Sequence, residues 1–247
     1  MQEIRYAMVD GEKVPVLISD ENEALQAAKA ARRAIVGLWR EDGKENEWCA
    51  DTLITDVEDA DEEFLERIAR RHLGLPWTIC ETERLILREI AERDYEEIVK
   101  NHVDDGINGR KVELVNYDDG LDTAEKIAGY TKRHYEVFEF GFWAVEEKKS
   151  GNLAGVVGFR IPQDDAAGDV EDWLLSFDDE NILDDTLELG YHIFPEYRRQ
   201  GYAKEACLAA VEYAKEEFGT VQFLARIEKD NIVSKKVAER LGFVRAA

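Results

Sequence analysis

The sequence predicts an α/β protein built of two units, and three observations carry this prediction. Short apolar runs alternate with amphipathic stretches of helical period along most of the chain. A polar break at Pro76 separates residues 1–80 from residues 81–247. Two strands that flank the turn Lys149–Asn152 have the spacing of an antiparallel hairpin. We therefore expect a small α/β unit followed by a larger one.

The smaller unit is predicted to be a parallel, three-layered α/β structure. Val14 to Ile18 and Ala34 to Trp39 are apolar and strand-like, and apolar side chains recur on one helical stripe between Phe64 and Ala69. Strands connected through helices in this way tend to run parallel. The predicted order is strand 14–18, helix 23–34, strand 34–39, strand 52–54 and helix 61–72.

The larger unit alternates strands with helices and contains an acidic segment at residues 163–185. Strands are predicted over 84–90, 142–145, 153–161, 186–194 and 221–227, and helices over 94–103, 123–138, 203–218 and 232–241. The acidic segment holds ten acidic residues and no basic one. Because it also contains Trp173, Leu174, Leu175 and Phe177, we expect an insertion that packs in part against the domain.

Charge and cysteine content argue against several classes of protein. The chain has 55 acidic and 32 basic residues and a net charge of −23, which repels phosphate backbones and makes nucleic-acid binding an unexpected function. Two roles of this charge stay open: attraction of a cationic substrate, or solubility alone. There is no secretory signal and no run of about 18 apolar residues, so no membrane partner is expected. Cys49, Cys80 and Cys207 lack disulfide or metal-site spacing, which predicts reduced thiols, no metal and a cytoplasmic location.

The most informative segment runs from Glu188 to Gly201. Its apolar strand ends at Pro195, and a basic loop with a single glycine then leads into an amphipathic helix. Such a loop directs several backbone N–H groups to one spot, and the helix N-terminus adds partial positive charge there. The segment therefore predicts a site for a phosphate or diphosphate.

Four segments resemble the GNAT N-acetyltransferase superfamily, and in particular its ribosomal-protein-type branch. They are Thr82–Arg88, Leu189–Ala203 with its motif Arg198-x-x-Gly201-x-Ala203, Asn231-x-x-Ser234, and Arg240–Phe243. The resemblance covers about residues 82–244. It implies a GNAT-like fold, with a mixed and mostly antiparallel central sheet between flanking helices, and acetyl-CoA as the acyl donor. The smaller unit before it is then expected to be Rossmann-like.

The resemblance also implies which residues hold coenzyme A. The pantetheine arm is expected to bond the main chain of one strand, and the diphosphate is expected at the loop. The implied cofactor residues are Ile193, Phe194, Arg198, Arg199, Gln200, Gly201, Tyr202, Ala203 and Asn231. Alternatives stay open for three of them: a solvated loop cation for Arg198 and for Arg199, and the cap of the following helix for Asn231.

Acetyl transfer to an amine requires a base for the ammonium and a partner for the departing thiolate. Glu188 is the candidate base, with an exposed strand carboxylate as the alternative; His192 is a second candidate, with a packed or solvated histidine as the alternative. Many family members place a tyrosine where this chain has Ala238, so Ser234 is the hydroxyl left to assist the thiolate. Because side chains alternate along a strand, Glu188 and His192 are expected on the same face. The resemblance implies a bulge in this strand, which would shift that register.

Two further expectations concern the ends of the chain. The family usually continues past Leu-Gly-Phe into a last hairpin or strand, whereas only four residues follow Phe243 here. A shorter sheet, an edge supplied by a partner or by the N-terminal unit, and a truncated gene stay open. Residues 16–54 resemble the second half of a haloacid-dehalogenase-like domain, with Asp20 matching one acidic residue of its metal site. The Asp-x-Asp nucleophile segment is missing, so a non-catalytic docking or dimerisation unit is expected.

Together these features predict an N-acetyltransferase. A primary amine on a small molecule, a protein N-terminus or a lysine would attack acetyl-CoA directly, and a cationic acceptor and a homodimer are further expectations. The alternative is a weakly active or inactive acyl-CoA sensor that serves an interaction through residues 1–80. The missing tyrosine and the short C-terminus favour the sensor, whereas the intact loop and Glu188 favour the enzyme.

Overall fold

The computed structural model describes residues 1–40, 49–103, 123–135, 139–162, 169–177 and 186–246. The chain divides into two compact units, Met1–Trp77 and Thr78–Ala247. Three predicted features lie at least partly outside the described residues: the polar loop after Arg40, the end of the helix predicted over 123–138, and most of the acidic segment 163–185.

The first unit is a four-stranded sheet with two helices. The order across the sheet is β1-β2-β3-β4, with β1 antiparallel to β2 and the other neighbours parallel. Leu65, Ile68 and Ala69 of the second helix pack in one cluster with Val16 and Ile18. The elements are β1 (Gln2–Val9), β2 (Glu12–Ser19), α1 (Asn22–Ala30), β3 (Ala34–Leu38), β4 (Leu53–Ile54) and α2 (Glu62–His72).

The expectation of a parallel unit is therefore wrong, because β1, which the predicted order lacks, pairs antiparallel with β2. The apolar side chains of Ile4, Tyr6 and Met8 are exposed, so the usual contrast between a polar outer face and an apolar inner face is absent from this strand. A local signal was present nonetheless. Asp10 and Gly11 have φ values of 50° and 90°, the left-handed conformation that an Asp-Gly hairpin turn requires.

The second unit is an eight-stranded sheet with flanking helices, as the fold prediction stated. Its order is β12-β9-β11-β10-β8-β7-β6-β5. Within the described part of this second sheet, β10 and β11 run parallel and the other paired strands run antiparallel. The predicted hairpin is confirmed, because β7 pairs antiparallel with β8. The elements are β5 (Thr78–Glu81), β6 (Leu85–Arg88), α3 (Tyr95–Val103), α4 (Ala124–Arg133), β7 (Phe142–Glu147), β8 (Leu153–Arg160), β9 (Val170–Ser176), β10 (Leu187–Ile193), α5 (Tyr202–Phe218), β11 (Gln222–Glu228), α6 (Ile232–Leu241) and β12 (Val244–Arg245).

The described part of the acidic segment is a strand of this sheet. β9 lies between β11 and β12 and pairs antiparallel with both, and Trp173 is buried in the core. The sequence analysis left three alternatives open for the edge of the sheet: a shorter sheet, a strand from a partner or from the N-terminal unit, and a truncated gene. The structure shows another arrangement, in which an internal segment supplies the strand beyond β11. The acidic side chains do not prevent it, because Glu171 lies 2.6 Å from Lys235 Nζ and Asp172 lies 3.5 Å from Arg226 Nε.

Strand β10 has two faces that pack in different clusters. Leu189 and Ile193 pack with the buried residues of α5, whereas Phe194, just after the strand, packs with Ile98 of α3 and Ile127 of α4. The pairing of β10 with β8 continues without a register shift from Glu188 to Ile193. The implied bulge is thus not present in this pairing, and the predicted alternation holds along the strand.

Candidate functional site

The site is built around a cleft between β10 and β11. These strands pair at only two positions, Leu187 with Phe223 and Glu188 with Leu224, although β10 continues to Ile193 and β11 to Glu228. Parallel neighbours that stop pairing while both continue must diverge. Main-chain groups of β10 beyond Glu188 therefore face an opening and not a strand.

Ile193 is the cofactor candidate that the main chain places at this opening. The N–H of Phe194 donates to Ala154 O at 2.9 Å and so faces β8, which leaves the main chain of Ile193 facing the opposite edge. Arg198 Nε donates to Ile193 O at 2.8 Å, so the half-buried Arg198 side chain is held at the end of β10 and is not a fully solvated cation. Since the Phe194 N–H is already bonded, a pantetheine contact from that group would need its bond to Ala154 to break.

The loop after β10 ends in the geometry of an anion site. Arg199 and Gly201 adopt left-handed φ values of 59° and 85°, and α5 begins at Tyr202. The first intrahelical bond is donated by Glu205 N to Gly201 O at 3.1 Å. The N–H groups of Tyr202, Ala203 and the next residue precede this bond and point out of the helix end, where the helix dipole favours negative charge.

Arg84, a side chain that the sequence pattern does not single out, braces this loop. Arg84, which immediately precedes β6, donates from Nη1 to Gln200 O at 2.8 Å and from Nε to Glu205 Oε2 at 2.8 Å. Its guanidinium also lies 4.6 Å from the centre of the Tyr202 ring. A signal was present, because Arg84 belongs to the Thr82–Arg88 segment that carried the family resemblance.

At the other end of β10, Glu188 is buried and paired with arginine. It is 4% exposed, so the alternative of an exposed strand carboxylate is wrong. Oε1 accepts a short hydrogen bond from Arg160 Nη2, and Oε2 lies 3.5 Å from Arg226 Nη1. Oε2 is buried and makes no hydrogen bond to any described residue, so its lone pairs are the ones left for a further hydrogen-bond donor.

His192 is a packed histidine. It is buried on the same face of β10 as Glu188, and its ring centre lies 5.7 Å from that of Phe194. The structure thus favours the packing role that was the alternative to a second base.

A side-chain hydrogen bond joins strand β10 to helix α6. Tyr191 Oη of β10 donates to Ser234 Oγ of α6, the helix that follows β11, at 3.1 Å. Asn231 caps α6 by accepting from the Ser234 N–H at 3.0 Å, which confirms the capping role and leaves its amide nitrogen for another contact. Burial raises the pKa of Tyr191, so its phenol keeps its proton. Tyr191 was missed as a site residue, although alternation places it on the face of Leu189 and Ile193.

A family model described as the acetyltransferase (GNAT) domain matches residues 84–244. The chain belongs to this family. It is 26% identical over 165 residues to the uncharacterized N-acetyltransferase YoaA of Bacillus subtilis (strain 168), which covers 67% of this chain and 82% of YoaA. It is 35% identical over 60 residues to the uncharacterized N-acetyltransferase YnaD of the same organism, covering 24% of this chain and 35% of YnaD.

One similar solved structure shows the same fold. The structure of the ribosomal-protein-S5-alanine acetyltransferase from Vibrio fischeri superposes with a TM-score of 0.50 at 17% identity, covering 69% of this chain and 83% of that chain. The GNAT match begins at Arg84 and so lies within the second unit. The haloacid-dehalogenase-like interpretation of the first unit stays a prediction.

No described helix combines the length and apolarity that a bilayer crossing requires. The described residues also contain no cluster of three or more His, Cys, Asp or Glu side chains that would hold a metal ion. Burial raises the pKa of the Cys207 thiol in α5, so this cysteine is no ready nucleophile.

Proposed function

We propose that this GNAT-family chain is an acetyl-CoA-dependent N-acetyltransferase that transfers the acetyl group to a primary amine by direct attack. The observation that carries the proposal is the arrangement of two features on one strand. The β10–β11 cleft opens beyond Glu188, and the strand then leads through Gly201 into the N-terminus of α5. A ligand with a thioester at one end and a diphosphate at the other fits that order.

The residues present fit coenzyme A. Ile193 offers its main-chain N–H to an extended arm, as an added strand would use it, while its carbonyl accepts from Arg198. The N–H groups of Tyr202 and Ala203 would hold the diphosphate, and Gly201 keeps a Cβ away from it. The amide nitrogen of Asn231 would contact the arm. Bound acetyl-CoA supplies an activated thioester carbonyl for attack.

Glu188 serves as the base in this proposal. A lysine-type amine has a pKa of ~10.4 and must lose a proton before it can attack. Glu188 Oε2 takes this proton directly or through one water, while Arg160 holds Oε1 and fixes the orientation of the carboxylate. Because Tyr191 lies on the opposite face of β10, the acceptor and the leaving sulfur occupy opposite sides of the strand.

The Ser234 hydroxyl stabilises the leaving thiolate by donating a hydrogen bond to the sulfur. Ser234 Oγ accepts from Tyr191 Oη at 3.1 Å, which leaves the Ser234 proton free to point at the sulfur, and the departed thiolate takes its proton from solvent water. Ser234, expected from the sequence to assist the thiolate, thereby acts together with Tyr191.

The acceptor is proposed to be an amine in the cytoplasm, carried by a small molecule, a protein N-terminus or a lysine. The acidic residues described within 163–185 are each paired with a basic side chain: Asp169 with Lys229, Glu171 with Lys235, and Asp172 with Arg226. Attraction of a cationic acceptor would therefore rest on the net charge of −23 and not on these three carboxylates.

A second candidate is an acyl-CoA sensor without appreciable turnover. The pairing of Glu188 with both Arg160 and Arg226 favours it, because a carboxylate held by two guanidinium groups can serve the sheet as a structural ion pair. The sensor is also favoured by Ala238, which stands where many family members have a tyrosine.

Thiol release from acetyl-CoA separates the two candidates. The full chain would be assayed against polyamines, aminoglycosides, lysine peptides and peptides with free N-termini, with thermal stabilisation by coenzyme A measured in parallel. Turnover with any of these amines supports the enzyme. Stabilisation without turnover across the panel supports the sensor, and absence of both contradicts the acyl-CoA assignment.

A further inference from the structure

Arg84 connects the start of β6 to the first turn of α5, far away along the chain. Its Nη1 donates to Gln200 O, while Nε and Nη2 lie 2.8 Å and 2.5 Å from Glu205 Oε2. Its flat guanidinium lies over the Tyr202 ring. All three contacts lie on the loop and helix start that would bind the diphosphate.

Glu205 presents an electrostatic problem for that site. It lies in the first turn of α5, where a carboxylate interacts well with the helix dipole but repels a bound diphosphate. Arg84 offsets this charge, and Thr82 Oγ1 and the Arg84 N–H also donate to the same carboxylate at 2.6 Å and 3.0 Å. The Glu205 charge is thereby offset by an ion pair and by hydrogen bonds before the anion arrives.

The second arginine of the Thr82–Arg88 segment shows a different role. Arg88 is buried, and its guanidinium donates to Asp94 at 2.6 Å and to Glu146 at 2.8 Å. This arrangement is a structural ion-pair network within the fold. Arg84 is 43% exposed at its side chain and contacts the loop, so stability of the core does not explain its position.

We propose that Arg84 and Glu205 are positioning residues of the diphosphate site, in which Arg84 fixes the Gln200–Gly201 main chain and neutralises Glu205. The inference rests on the proposed use of acetyl-CoA. It has an asymmetric consequence: loss of Arg84 exposes the Glu205 charge to the diphosphate, whereas loss of the Glu205 charge frees Arg84 to face the anion. The two substitutions should therefore act in opposite directions, and the second should partly rescue the first.

The test measures the affinity of the full chain for coenzyme A and for pantetheine, which lacks the diphosphate. Arg84→Met should weaken coenzyme A binding about tenfold or more, as expected for a charged hydrogen-bonding group. The loss for pantetheine should be much smaller. Glu205→Gln should bind coenzyme A at least as well as the unsubstituted protein, and the double variant should recover part of the loss. Arg84→Lys keeps the charge but lacks the planar guanidinium with its several donors. Its affinity for coenzyme A should therefore lie between those of Arg84→Met and the unsubstituted protein.

Arg93→Met serves as the control for removal of one positive charge, because Arg93 is exposed and pairs with Glu146 and Asp94 instead of the loop. Equal losses for coenzyme A and pantetheine in Arg84→Met would overturn the inference, since they would indicate a general structural defect. A loss in Glu205→Gln as large as in Arg84→Met would also overturn it. If the unsubstituted protein does not bind coenzyme A, this inference and the proposed function both fall.

Discussion

At one end of β10 the main chain turns through Gly201 into the helix start of α5; at the other end, Glu188 lies buried between two arginines. The loop end is formed mainly by neighbours in sequence and by backbone N–H groups. The Glu188 end depends on Arg160 of β8 and Arg226 of β11, and on β9 beyond them. A local segment can therefore encode an anion site by itself, whereas the chemistry at Glu188 depends on side chains brought together by the fold.

In the proposed function, the loop end of β10 binds the cofactor and the Glu188 end carries out the chemistry. A backbone anion site requires a left-handed glycine and a free helix end. The proposed base requires a carboxylate oxygen that its ion pairs leave available. Changes at the loop end should consequently affect both cofactor binding and turnover, while changes at Glu188 should affect turnover alone.

The largest expected effect is that of Gly201→Glu, which should abolish the thermal stabilisation given by coenzyme A. Gly201 has a φ of 85°, its added Cβ would lie 3.4 Å from Arg84 Nη2, and the new carboxylate would repel the diphosphate. Gly219→Glu is a matched control, because Gly219 has a φ of 66° at the other end of α5 with open space around it. Equal stabilisation of both variants would contradict the anion site.

Glu188→Gln should lower kcat by about 10²- to 10⁴-fold, the range typical of a general base, while stabilisation by coenzyme A persists. Gln keeps the shape and a hydrogen-bonding oxygen but cannot accept the proton. The measurement is steady-state kinetics beside ligand-induced shifts in the melting temperature. Glu212→Gln, an exposed position on α5, is the control. Full activity of Glu188→Gln would assign the residue to the ion-pair network alone.

Tyr191→Phe should lower kcat by about tenfold, less than Glu188→Gln, because a thiol with a pKa of ~8.5 is already a good leaving group. The substitution removes the hydroxyl that bonds Ser234 and keeps the ring in the core. Ser234→Ala should lower kcat similarly, and the double variant should lose little more than either single one. Additive losses would show that the two hydroxyls do not act as a unit.

The same division explains what could be predicted from the sequence. The helix over 232–241 matches α6, and the loop from Arg198 to Ala203 has the expected geometry, because capping residues, helical period and a single glycine are local signals. The burial of Glu188 was not predictable in this way. Glu188 can be buried because Arg160 and Arg226 offset its charge, and these two arginines are brought beside it by the pairing of β10 with β8 and β11.

Strand β9 illustrates the limit most clearly. Its alternating side chains lie in a segment whose composition indicated an insertion, and only the open edge of β11 determines that the segment joins the sheet. The apolar Trp173 indicated that the segment packs against the domain, but not that it packs as a strand between β11 and β12. The contacts of Arg84 are equally non-local, since they join residues 84 and 205.

The smallest expected effect concerns pH and tests the ion pair between Arg84, which precedes β6, and Glu205 in the first turn of α5. Burial acts to raise the pKa of Glu205, but the hydrogen bonds from Thr82 and Arg84 outweigh it and lower the pKa from its usual 4.5. A carboxylate with a lowered folded-state pKa stabilises the protein above the unfolded value and loses that contribution as the pH falls through the folded one. The difference in melting temperature between the unsubstituted protein and Glu205→Gln should therefore be full above pH 4.5 and shrink below it. A difference that stays constant with pH, as expected for a purely steric contact, would remove the electrostatic link between Arg84 and the loop.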